Sequence, residues 1–234
     1  MFERPHHRRI ARVLAALDGD LLREANCLFG GGTAMALRFG EYRESVDMDF
    51  LVSDLSSYRR LRQLLTGEAG FAGLLRRDGE KFRLAREVRA DQYGIRTTLL
   101  VDDLPIKFEI VLEGRIEIEA ATGKDQVCGI STLTALDMAT SKLLANSDRW
   151  SDDGVFSRDV IDLAMMRPAL PLLRKAMLKA EAAYGQAIAR DLGRAIDKLQ
   201  SRQDWLERCM QAMAISLPKA LLWANIRALR RVLP

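Results

Sequence analysis

Asp47 and Asp49 stand two residues apart in Val46-Asp47-Met48-Asp49-Phe50-Leu51-Val52, a segment that alternates apolar and acidic residues. A period of two is that of a β-strand, which puts both carboxylates on one face and turns Met48 into the core. Shortly before them, Gly31-Gly32-Thr33 closes a short apolar run. Magnesium takes oxygen ligands and is usually held by one or two carboxylates together with substrate phosphates. Gly31 and Gly32 let the backbone approach a triphosphate, and a helix starting at Thr33 aims N–H groups and its positive dipole end at the anion. An Asp-x-Asp pair alone more often sits solvated at a strand end. The glycine turn and the apolar flanks Val46, Phe50 and Leu51 make metal-plus-phosphate chemistry the better reading here.

Other chemistries lack their residues. The only histidines, His6 and His7, are adjacent and therefore on different helix faces; they read as surface residues, and a Ser/His/Asp triad is excluded. Cys27, Cys128 and Cys209 are odd in number and form no CxxC or Cys/His cluster, so neither a disulfide framework nor a zinc site is indicated. A reducing cytoplasm is the expected location. Trp150, Trp205 and Trp223 read as core or interface anchors rather than base-stacking platforms.

The 234 residues are 48% hydrophobic with a formal charge of +4, an ordinary globular composition. The charge is unevenly spread. From Leu163 onward there are 13 Lys+Arg against 5 Asp+Glu, a balance of +8, which leaves −4 before it. A basic segment of this kind suits a polyanion partner, and equally a set of solvated helices. The basic N-terminus is followed by an apolar stretch broken at Arg12 and Asp18, unlike a signal peptide. No run of about 18 apolar residues predicts a membrane span.

The elements that must position these residues follow from periodicity. Residues 7–22 repeat apolar positions at helical spacing, residues 26–29 form a strand entering the glycine turn, and residues 33–39 return to helix. Residues 40–45 are a loop, residues 46–52 a strand, and Ser56 or Ser57 caps a helix ending near Thr66. Strands around 82–84, 95–101 and 106–111, separated by Tyr93-Gly94 and Asp102-Asp103-Leu104-Pro105, predict an antiparallel meander. A further short strand falls near 116–118 or 126–128. Beyond Ser131, helical patterns cover 133–146, 157–166, 170–184, 186–200, 202–214 and 219–232, broken at Pro168, Gly185 and Pro218. The expected architecture is α+β: a core over residues 1–130 with a mixed or antiparallel sheet, followed by a helical bundle over 131–234.

Gly31-Gly32-Thr33-Ala34, Arg38 and Arg43-x-Ser45-x-Asp47-Met48-Asp49-Phe50 resemble the first motif of the nucleotidyltransferases of the AbiEii/AbiGii toxin family, within the polymerase-β-like superfamily. The spacer between glycines and aspartates is slightly longer than the superfamily norm, as is usual for this family. The likeness continues more weakly: Leu136 to Ala145 is similar to an A-x-K-L-x-A helix, and Ser157-Arg158-Asp159-Val160-Ile161-Asp162-Leu163 to an R-D-x-x-D-L segment.

The resemblance implies a polymerase-β-like core and transfer of a nucleotidyl group from an NTP to an acceptor hydroxyl. It implies two Mg2+ ions, with Mn2+ as a substitute, held by Asp47, Asp49 and a third carboxylate, in an in-line displacement. Glu109 is the candidate third acid; an ordinary strand glutamate is the alternative, and Glu113 on the same face is the substitute. By the same resemblance Lys142 contacts the triphosphate, although a snorkelling lysine fits its position too. Asp159 is either a general base or a partner for Lys142. Arg38 and Arg43 face phosphates or pair with Glu41 and Glu44, and Ser45 bonds either the loop or a phosphate. The nucleotide-binding set is thus Gly31, Gly32, Thr33, Arg38, Ser45 and Lys142. The first helices beyond residue 131 would complete the active site. The implied acceptor in some relatives is the 3′ end of tRNA, which the basic helices would receive; another RNA is the wider expectation. A toxin role implies a separate antitoxin protein. The competing reading is a non-catalytic nucleotide- or polyanion-binding module that retains the fold.

Overall fold

The computed structural model describes residues 2–233, and its chain divides into two compact units. The first takes the chain up to Arg38 together with Ser45–Thr134; the second takes Phe39–Glu44 and the chain from Ala135 onward.

In the first unit, α1 (Pro5–Ala16) starts on a proline, whose missing N–H costs nothing in a first helical turn. The single long helix expected over 7–22 is two: Asp18 leaves helical geometry and caps α2 (Gly19–Glu24), accepting from the backbone N–H groups of Asp20 and Leu21. β1 (Leu28–Gly30) runs directly into α3 (Gly31–Arg38), and β2 (Met48–Val52) follows. The helix α4 (Leu55–Thr66) is capped by Asp54, which bonds the Ser57 N–H, and not by either serine. The meander forms as β3 (Arg83–Ala90), β4 (Gly94–Val101) and β5 (Leu104–Leu112). A minor hairpin, β6 (Gln126–Val127) with β7 (Ile130–Ser131), takes the weaker strand expected near 126–128.

The main sheet has the order β1-β2-β5-β4-β3, antiparallel throughout except for the parallel β2–β5 pair. One face is apolar. Met48, Phe50 and Val52 of β2 and Ile106, Phe108 and Ile110 of β5 are buried there, and Phe50 sits 5.2 Å, centroid to centroid, from both Phe29 and Phe108. Phe71 closes the cluster edge-on to Phe108 at 5.1 Å. The opposite face carries the polar half of each alternation.

The second unit is helical: α5 (Ala135–Arg149), α6 (Arg158–Met166), α7 (Leu170–Tyr184), α8 (Ala187–Ser201), α9 (Trp205–Ala212) and α10 (Lys219–Ala228). α5 packs against α6, α7 and α8, and α10 against α6. Trp205 is an anchor, as expected: it is buried, and its indole N–H donates to the Ser157 hydroxyl at 3.0 Å. No helix among the described residues is long and apolar enough to cross a membrane.

Candidate active site

The glycine turn and the aspartates meet across adjacent strands. Gly30 of β1 pairs with Asp49 of β2, and Asp49 pairs in parallel register with Glu109 of β5. Residues paired across strands share a face, so Asp49 and Glu109 project side by side from the polar face of the sheet. Met48 is fully buried, which keeps its two acidic neighbours off the core face. Asp47 lies one residue before β2 begins, at the mouth of the strand rather than inside it.

Gly31 is indispensable to this arrangement. Its φ is +66°, and a Cβ built on it would come within 2.8 Å of the Asp49 Cβ and closer still to the carboxylate. Only glycine accepts both the left-handed backbone and the approach of the acid. Thr33, buried in the first turn of α3, donates to the Asp47 carbonyl and shares a 2.9 Å hydrogen bond with the Ser45 hydroxyl. Gly32 and Thr33 thus start a helix whose first N–H groups have no intrahelical acceptors, beside the two aspartates.

A residue that sequence reasoning placed on the surface belongs to this loop. His7 is fully buried in α1, and its Nε2 accepts from the Ser45 backbone N–H at 3.2 Å. His6 reaches the neighbouring Val46 carbonyl at 3.0 Å. Adjacent residues do lie on different faces of α1, but the loop before Asp47 spans both.

Glu109 does not stand alone. Arg96, its partner on β4, bonds it through Nε at 2.6 Å and holds Asp91 with Nη1 at 2.9 Å. Glu113 is withdrawn from the face: it is buried and accepts from the guanidinium and backbone N–H of Arg115. Arg38 uses Nη1 to bond Asp125, Thr132 and the Leu133 carbonyl, all within 3.1 Å, and so ties α3 to the residues flanking the β6–β7 hairpin.

Among the described residues, no three His, Cys, Asp or Glu side chains form a metal-ligating group. The donors fit a hard cation in the other common manner, two carboxylates completed by phosphate oxygens, with Gly31 admitting the Asp49 carboxylate where any side chain would collide with it.

In the second unit, Asp162 of α6 is the centre of a buried ionic cluster. It receives the Arg43 guanidinium in a fork, at 2.6 and 2.9 Å, the Lys142 ammonium at 2.7 Å and the Tyr42 hydroxyl at 2.7 Å. Arg43 is thus committed to Asp162, and its Nη1 also donates to the Glu44 backbone carbonyl at 2.9 Å. Asp159, one helical turn earlier, takes Lys142 at 3.2 Å and Arg149 at 2.7 and 3.0 Å. Burial pushes both carboxyls up, but Arg43 and Lys142 hold Asp162, and Lys142 and Arg149 hold Asp159, below the usual carboxylate range. An acid so held is a weak proton acceptor, so the geometry favours Asp159 as the partner of Lys142 over a base. The signal in the sequence was Lys142 itself: a buried lysine needs a counter-charge, and Asp159 and Asp162 at i, i+3 share the face that supplies it.

The family model described as nucleotidyl transferase AbiEii toxin, type IV toxin–antitoxin system, matches residues 12–228. No curated protein matches the chain. Among solved structures, that of a putative nucleotidyltransferase from H. pylori is similar at 15% identity and a TM-score of 0.51, covering 97% of this chain and 93% of the other. That of JHP933 from Helicobacter pylori is similar at 14% identity and a TM-score of 0.50, covering 97% and 90%. At these identities the two structures share its fold.

Proposed function

Because the chain belongs to the AbiEii family of nucleotidyl transferase toxins, we propose that it transfers a nucleoside monophosphate from an NTP to an acceptor hydroxyl, with Asp47, Asp49 and Glu109 at the reacting centre. The observation that carries this reading is the row Gly30, Asp49, Glu109 on one sheet face, with Gly31 opening the backbone beside Asp49.

The acceptor oxygen attacks the α-phosphorus and forms a new P–O bond. The bond from that phosphorus to the bridging oxygen breaks, pyrophosphate leaves, and the hydroxyl proton passes to solvent. Asp47 and Asp49, completed by phosphate oxygens, would hold Mg2+ or Mn2+, which would neutralise charge on the triphosphate; Glu109 stands beside Asp49 on the same sheet face. The turn at Gly31, Gly32 and Thr33 offers its N–H groups to the phosphates. Thr33 and His7 hold the Ser45–Asp47 loop in place, which fixes where the first carboxylate projects. The acceptor of this reading is RNA, the 3′ end of tRNA being the narrowest case. The type IV system of the family supplies the expectation of a separate antitoxin protein.

A second reading, a nucleotide- or polyanion-binding module without catalysis, draws on Arg96, which already neutralises Glu109. One experiment separates the two. The protein and its Asp49→Asn variant are incubated with magnesium, each α-labelled NTP and total cellular RNA or protein. Label in one fraction with the unaltered protein, lost with the variant, supports transfer. Label in neither fraction, with no magnesium-dependent NTP binding, sinks it; NTP binding without label favours the module.

A further inference from the structure

The row that starts at Gly30 does not stop at Glu109. Glu109 pairs with Arg96 of β4, and Arg96 with Arg89 of β3; one step along, Lys107 pairs with Thr98, and Thr98 with Arg86. These residues line a groove of about 760 Å3 on the polar face of the sheet, with Glu109 at its inner end. Arg96 is neutralised by Asp91 and Glu109. Arg86, Arg89 and Lys107 are exposed, and among the described residues no carboxylate pairs with their charged groups.

We propose that this groove seats the sugar-phosphate backbone of a single-stranded polynucleotide acceptor, whose terminal hydroxyl reaches Asp49 and Glu109. The inference rests on the nucleotidyl-transfer reading and extends it. An in-line displacement puts attacking and leaving oxygens on opposite sides of the phosphorus. With the Gly31 turn and the start of α3 receiving the triphosphate on the β1 side of Asp49, the acceptor enters from the β5–β4–β3 side. Strands lie about 4.8 Å apart, so the groove extends roughly 10 Å from β5 to β3. Three cations that no carboxylate of the described residues pairs, set against the single further lining acid Glu87, match a phosphodiester chain, and Lys and Arg contacts of this kind position a strand without reading its sequence. The acceptor surface thus falls in the first unit, not on the basic helices where charge counting put it.

The test is the variant Arg86→Gln/Arg89→Gln/Lys107→Gln in the full chain, with Lys107→Gln alone as a milder variant. Arg174→Gln/Lys175→Gln, on exposed positions of α7, is the comparator. The probe is a short 5′-fluorescein single-stranded oligoribonucleotide with a free 3′-hydroxyl, read by anisotropy against salt. In parallel, the KM for the RNA fraction and for NTP is measured in the transfer assay. Expected for the triple variant are an acceptor KM and probe Kd raised about tenfold or more, a salt slope shallower by about 2, and an unchanged NTP KM. The comparator should match the unaltered protein.

If transfer occurs and the triple variant keeps the parent acceptor KM and salt slope, the groove is overturned while the reaction stands; Arg86 and Arg89 then only keep edge strand β3 from pairing. If no transfer occurs but the probe binds through these three side chains, the groove stands and the reaction falls. Binding lost only in the comparator, or no probe binding by any form, overturns the groove.

Discussion

Gly31 and Asp49 are in such close contact that the turn cannot carry a side chain: a methyl group on Gly31 would lie 2.8 Å from the Asp49 Cβ. The glycine turn after β1 and Asp49 of β2 are therefore one structural unit. Gly31→Ala should cost about 1–2 kcal/mol from its positive φ alone and should also displace Asp49. Gly40→Ala is the control, since Gly40 has φ +85° with open space around it. Both variants should lose stability in urea titrations, and only Gly31→Ala should lose label transfer as well.

His7 sets up the loop before Asp47 from a buried position. His7→Phe removes the acceptor of the Ser45 N–H while keeping bulk, and an unsatisfied buried donor costs about 1–3 kcal/mol. His6→Ala, on the exposed side of the same loop, should stay within about 0.5 kcal/mol of the parent. Urea midpoints at constant m-value check both. Equal effects would show that His7 acts by packing alone.

The Arg96–Glu109 pair is partly solvent-exposed, and such a pair contributes about 0–1 kcal/mol to stability. Glu109→Gln should therefore leave the melting temperature nearly unchanged while lowering kcat for label transfer by about tenfold or more. Arg96→Ala should change stability as little and leave the carboxylate in place. A Glu109→Gln variant with parental kcat would remove Glu109 from the reacting centre.

Asp162 is surrounded by Arg43, Lys142 and Tyr42 with its side chain fully buried. Asp162→Asn leaves buried cations uncompensated, a loss of about 3–5 kcal/mol. The Arg43→Met/Asp162→Leu pair should recover part of it, as measured by a double-mutant cycle in urea.

The same carboxyl makes stability depend on pH. Its folded pKa is depressed below the unfolded value of about 3.9, so its contribution is complete above that value and is lost as pH falls toward the folded pKa. Asp159, also depressed, adds in the same direction. Melting temperature should fall progressively as the buffer is taken below about pH 5, and Asp162→Asn should flatten that slope. An identical slope in the variant would assign acid sensitivity to other groups.

The local order of this chain is written in short-range pattern. Alternation around Met48 puts Asp49 on the polar face, and the turn signals at Tyr93-Gly94 and Asp102-Asp103 delimit the meander because both depend on neighbours only a few residues away. Helix ends were harder where two caps compete: Asp54 takes the Ser57 N–H because its ionised oxygen is the stronger acceptor, and Asp18 splits a continuous apolar stripe for the same reason. Partners were the illegible part. Nothing near Arg43 in the chain announces Asp162, 119 residues away, and nothing near His7 announces Ser45.

The sequence by itself determined the two aspartates, the glycine turn and the elements that carry them, since strand parity and turn chemistry are local. Only the tertiary structure decided that Glu109 lies beside Asp49, because a parallel pair between β2 and β5 brings together residues 60 positions apart through register. It also decided which charges are already spent. For Arg38, Arg43 and Lys142 the sequence left a phosphate and another partner as alternatives, and the folded chain gives each of them a carboxylate.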